Sequence, residues 1–144
     1  MIKNLSLING PNLNLLGMRE VNVYGKQSFD DFLAELAIQY PEVLFSYYQS
    51  NVEGEIVNDI QEIGFIADGI LINAGAYTHT SIAIADAISA VKSPAIEIHI
   101  SNISAREPFR HDSYLTSKCV GMISGLGLDG YRLGVEYFLK NLAK

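Results

Sequence analysis

The sequence predicts an α/β protein built on a doubly wound, five-stranded parallel sheet, and three observations carry that reading. Short apolar runs alternate with helical patterns along all 144 residues, the rhythm of right-handed strand–helix–strand crossovers that cover both faces of a sheet. The run Gly69 to Asn73 (GILIN) is apolar without alternation, as a central strand covered on both sides must be. Polar and ionisable residues collect where the runs stop, and in an open parallel sheet that edge is where ligands bind.

Each element has its own local cause. Ile2 to Ile8 is a strand that stops at the breaker cluster Asn9-Gly10-Pro11. Ser28 opens a helix, with Asp31 three residues on approximating a capping box and Phe29, Phe32, Leu33 and Leu36 forming one apolar face. Pro41 ends it, and Leu44 to Gln49 follows as a strand in which Tyr47 and Tyr48 suit a pleated surface. Glu53 to Ile63 is an amphipathic helix stopped by Gly64. After GILIN, Ser81 to Val91 is a helix of small residues fit for close packing. Ala95 to Ile100 (AIEIHI) alternates strictly, so Glu97 and His99 share a face. Val120 to Ile123 is the fifth strand and Asp129 to Leu142 the last helix, entered through the glycine-rich turn Gly125 to Gly130.

Composition bounds the function. With 49% hydrophobic residues the chain reads as one domain, 1–144, and a domain this size buries roughly 68–70% of its unfolded surface without help from metal or disulfide. A net charge of −6 offers no footprint for nucleic acid or an anionic membrane surface. The single cysteine, Cys119, excludes an internal disulfide and a cysteine-based zinc site. No apolar run reaches the roughly 20 residues of a membrane span, and Met1 to Ile8 lacks the plan of a signal peptide. A cytoplasmic protein is expected.

All three histidines and three of the four arginines fall on the predicted ligand edge. Asn9, Asn12, Asn14, Arg19 and Tyr24 follow the first strand. Asn73, Tyr77, Thr78 and His79 follow the third, and His99, Ser101, Asn102, Arg106, Arg110 and His111 end or follow the fourth. That set suits a small anionic substrate gripped by arginine and amide donors. Taken singly, Asn12 and Asn14 also read as turn residues beside Gly-Pro, Tyr24 as an anchor for its loop, and Asp86 as the solvated side of a helix. The connection from Asn9 to Gln27 exceeds the usual length of a structureless loop, and its Leu13, Leu15, Leu16 and Met18 supply apolar anchors. A lid delivering Arg19 and Tyr24 fits it.

Several chemistries drop out. The chain reads G-P-N-L-N-L-L-G where a dinucleotide fold needs G-x-G-x-x-G. The P-loop and G-x-S-x-G motifs are missing, and no histidine pair has the i, i+4 spacing of a helical zinc site.

Three motifs resemble one family. G-P-N-L-N-L-L-G-x-R-E (Gly10 to Glu20) with Tyr24-Gly25, N-A-G-A-Y-T-H-T-S (Asn73 to Ser81), and E-I-H-I-S-N-I-x-A-R-E-x-F-R-H (Glu97 to His111) are similar to the type II 3-dehydroquinate dehydratases, over almost the whole chain. The resemblance implies a flavodoxin-like fold and reversible dehydration of 3-dehydroquinate to 3-dehydroshikimate through an enolate, in the shikimate pathway or in quinate catabolism. It also implies no cofactor, no metal and a dodecamer of four trimers. By resemblance Tyr24 is the base and Arg19 the cation that lets it ionise, since a tyrosine's ordinary pKa is about 10. Asn12 holds a water against the enolate, His99 is the general acid and Glu97 orients it. Asn73, His79, Ile100, Ser101 and Arg110 match substrate-binding positions, and Asp86 matches one contributed across the trimer interface. Two places depart from the family pattern: Val21-Asn22, where proline and an acid are common, and Ala74, where proline is frequent. The rival for the same fold is a flavin-binding or signalling domain, which for signalling would want an acidic pair where Asn9-Gly10-Pro11 stands.

Overall fold

The computed structural model describes residues 3–18 and 20–142. Its strands are β1 (Lys3–Asn9), β2 (Val43–Gln49), β3 (Gly69–Asn73), β4 (Ala95–His99) and β5 (Gly121–Ser124). Its helices are α1 (Val21–Tyr24), α2 (Phe29–Gln39), α3 (Glu53–Ile63), α4 (Ile82–Ala90) and α5 (Asp129–Asn141), with short 3₁₀ turns between them. The strands form one parallel sheet in the order β2-β1-β3-β4-β5, the flavodoxin-like winding that was expected. Element boundaries agree with the sequence reading to within about one residue.

Strand alternation divides the core in two. Leu5, Leu7, Leu71, Ile96 and Ile98 pack with Phe32, Leu36, Tyr131 and Phe138 of α2 and α5. Ile8, Ile70, Ile72 and Ala95 point the other way, onto Ile56, Ile60, Ile84 and Ile88 of α3 and α4. Burying each such side chain contributes about 1.5–3 kcal/mol. The caps also agree with the sequence: the Ser28 hydroxyl accepts from the Asp31 amide at 3.1 Å, and Ser81 from Ile84 at 2.9 Å.

Two details differ from expectation. Gly64 ends α3 in right-handed backbone, φ −71°. Its glycine is required by proximity instead, because a Cβ there would lie 2.4 Å from the Cβ of Val91. The long connection after β1 is also more structured than a plain loop, since it holds the 3₁₀ turn Leu13–Leu15 and helix α1. Only Leu13 and Leu16 of its four apolar residues are buried; Leu15 and Met18 are exposed.

Candidate active site

The order of strands reverses direction between β1 and β3, and their last residues, Asn9 and Asn73, are register partners. That switch point is where an open α/β sheet leaves a crevice. The backbones meet closely there: the Gly10 amide donates to the Asn73 carbonyl at 2.7 Å, and a Cβ on Gly10 would lie 2.3 Å from the Ala74 carbonyl oxygen. Beneath them Tyr131, fully buried, donates to the Asn9 side chain at 2.7 Å. Asn73 in turn accepts from the Gly75 amide at 3.1 Å.

Above this floor is a cavity of about 150 Å³, which brings together Asn12, Tyr24, Asn73, His79, His99, Ile100, Ser101 and Arg110. These are eight of the eleven residues singled out from the sequence. Glu97 lies behind His99 rather than in the cavity, and Asp86 is exposed on α4, away from it. Arg19 lies outside the described residues.

Asn12 has left-handed backbone, φ 70°, and its amide donates to the Asn51 side chain at 3.0 Å. Asparagine tolerates that conformation better than most residues. Gln49, at the end of β2, braces the same loop by donating to the Gly10 carbonyl at 3.1 Å. Neither Asn51 nor Gln49 stands out in sequence, because each supports the loop from a strand end far away along the chain.

His99 closes β4 and is buried, and its Nε2 lies 2.5 Å from Oε2 of Glu97. With Nε2 donating to that carboxylate, Nδ1 is the nitrogen left for the cavity. Burial by itself would push the Glu97 carboxyl up, but hydrogen bonds from His99, Thr116 and Ser113 outweigh it and hold the carboxyl below its ordinary range. His79 stacks 6.4 Å from His99, its Nδ1 2.7 Å from the Asp112 carbonyl, to which it donates.

Tyr24 ends α1. Arg106 donates from one terminal nitrogen to its phenol oxygen at 3.0 Å and to the Ser101 hydroxyl at 3.1 Å. A guanidinium on a phenol oxygen stabilises the negative charge of a phenolate. Arg106 is the functional residue that the sequence placed at this edge without giving it a role; its A-R-E context after β4 was the available signal. Arg110, at the end of the next 3₁₀ turn, Pro108–Arg110, lines the same cavity and pairs with Glu107 at 2.5 Å.

A strand-end cleft in a flavodoxin-like sheet, with a buried histidine–carboxylate pair, a tyrosine under a guanidinium and arginines at its rim, has the make-up of an acid–base enzyme for a small anionic substrate. Residues 3–139 match the family model Dehydroquinase class II. A relative from Fusobacterium nucleatum, named 3-dehydroquinate dehydratase, is 54% identical over 94% of this chain and 96% of its own length. One from Penicillium rubens, named catabolic 3-dehydroquinase, is 52% identical over 98% of this chain and 92% of its own. The crystal structure of the type II dehydroquinase from Butyrivibrio crossotus superposes with a TM-score of 0.90 at 43% identity, covering 96% of this chain and 98% of that one. The chain belongs to the class II dehydroquinases.

Proposed function

We propose that this class II dehydroquinase dehydrates 3-dehydroquinate to 3-dehydroshikimate, reversibly and through an enolate. The observation that carries the reading is the pair of proton-handling groups on one cavity: Tyr24 under the Arg106 guanidinium, and His99 on the buried Glu97 carboxylate. Tyr24, as phenolate, takes the proton beside the ketone, with Arg106 and Arg19 as the cations that favour its charged form. The electron pair moves onto the ketone oxygen, where Asn12 holds a water that stabilises charge present only then. When the pair returns, the carbon–oxygen bond breaks, and His99 protonates the departing hydroxyl so that it leaves as water. Arg110, with Asn73, His79 and the backbone of Ile100 and Ser101, grips the carboxylate and hydroxyls of the substrate.

On this reading the whole chain, 1–144, is one catalytic domain that works in the cytoplasm. It is completed by neighbours in a dodecamer of four trimers, in which Asp86 reaches the cleft of an adjacent subunit. The exposure of Asp86 on α4, outside its own subunit's cavity, supports that part. Relatives carry both general and catabolic names, so both the biosynthetic and the degradative direction of use fit the same chemistry. The test is to mix purified protein with 3-dehydroquinate and follow the ultraviolet absorbance of the conjugated enone. A rise is expected, and a flat trace from a correctly assembled protein overturns the proposal. Light scattering that gives a monomer alone would remove the dodecamer and the role of Asp86.

A further inference from the structure

We infer that Ser113 and Thr116, which no part of the mechanism above uses, are positioning residues for proton donation by His99: their hydroxyls hold the two Glu97 oxygens that orient the imidazole. The inference rests on the reading of His99 as the general acid.

Glu97 is fully buried at the middle of β4. A carboxylate taken out of water is costly unless each oxygen is supplied with donors. Oε1 accepts from Thr116 Oγ1 at 2.6 Å, while Oε2 accepts from Ser113 Oγ at 2.9 Å as well as from His99. The direction of the serine bond is forced. Ser113 Oγ already accepts from the amides of Leu115 at 3.0 Å and Thr116 at 3.3 Å. A hydroxyl has two lone pairs and one proton, so its proton is the part left for Glu97. Oε2 therefore accepts from Ser113, and with the Thr116 hydroxyl on Oε1 the carboxyl is held below its ordinary range, so Glu97 is ionised and the Nε2 proton stays on His99. Nδ1 then stays the nitrogen that delivers a proton to the cavity.

The segment carrying both hydroxyls is tied down on three sides. Leu115 between them is fully buried against α4. The Tyr114 amide donates to the Thr78 carbonyl at 3.0 Å, and the Val120 amide to the Ala95 carbonyl at 2.7 Å. Among the described residues, the titratable groups facing Glu97 are His99 and Cys119, whose thiol is pushed up to about 12 by burial and by the Glu97 charge and so stays neutral. His79 faces His99 from the turn after β3, with its Nδ1 spent on a backbone carbonyl.

The experiment uses Thr116→Val, which keeps shape and removes the hydroxyl, with Thr116→Ser as the conservative rescue and Ser113→Ala as the independent second removal. General acid catalysis is worth about 10²–10⁴-fold; losing part of its orientation should lower kcat about tenfold in Thr116→Val. KM should hold within about twofold. Thr116→Ser should restore most of the rate. Solvent deuterium exchange at the carbon beside the ketone, which needs Tyr24 and not His99, should persist in Thr116→Val. If kcat is unchanged in both Thr116→Val and Ser113→Ala, or if exchange falls in step with dehydration, the positioning role is wrong. A wild-type protein that neither exchanges nor dehydrates would instead remove the function on which it rests.

Discussion

The His99 and Tyr24 sides of the cleft are built in opposite ways. His99 belongs to a sheet strand, is buried, and hands its constraint to Glu97, whose oxygens are held in turn by Thr116 and Ser113. Tyr24 ends a four-residue helix within a connection whose Leu15, Met18 and Val23 face solvent. Its phenol takes a hydrogen bond from Arg106, and its ring packs on the edge of the core. The difference separates stability from the proposed chemistry: His99 is part of the core, whereas Tyr24 only borders it from a short helix with no buried residue. Low local packing is what allows a lid to open and admit substrate.

Substitutions can break that contrast. Tyr24→Phe is expected to lower kcat by about 10³-fold or more, in keeping with loss of a positioned base, with a melting temperature close to wild type; calorimetry and the enone assay read both. Glu97→Gln should also damage the fold, costing about 3 kcal/mol of stability because a buried pair loses one charge and three donors meet an amide, besides the activity lost with the orientation of His99. Denaturant melts should show that loss above the ordinary glutamate value of 4.5. A carboxyl held low in the fold contributes stability above its unfolded pKa, so the gap narrows as pH falls through the folded value.

Arg106→Ala, which removes the bonds to both Tyr24 and Ser101, should lower kcat by about 10²-fold, the scale of a lost charge-stabilising donor, with a smaller change in stability. Steady-state kinetics on a variant of native melting temperature checks it. The smallest effect lies away from the cleft. Burial, and then the neighbouring Glu62, push the Asp59 carboxyl up to about 6, and its buried Oδ2 has no hydrogen-bond partner. A carboxyl raised in the fold penalises folding as pH climbs from its unfolded value through the folded one. Asp59→Asn should therefore raise the melting temperature above pH 6 and leave it unchanged below about pH 4.

The same contrast explains what could be read from the chain. An unbroken apolar run located β3 and a helical period located α3 to the residue, because β3 is buried on both faces and α3 along one. The strict alternation of AIEIHI put Glu97 and His99 on one face, and they are in contact. Arg106 over Tyr24 was not legible, since the two are 82 residues apart and only the folding of the lid onto the sheet joins them. Nor was the helix at Val21–Tyr24, too short to show a period. Ser113 and Thr116 are invisible for another reason: their significance depends on where a buried carboxylate lies, and hydroxyl residues in a loop ordinarily serve its turns. The glycine at 64 was rightly a stop for the wrong cause, close packing rather than backbone sign.

The apposition of Gly10 and Ala74 at the switch point has a consequence for how such a cleft diversifies. Its floor is main chain against main chain, so its height is set without any side chain. A residue that projects from it, such as Ala76, can drift and reshape what the cavity recognises while the level of the floor stays put. Position 10 has no such freedom, because the first carbon of any side chain would collide with the Ala74 carbonyl. Variation in substrate preference is thus open at the rim of this cleft and closed at its base.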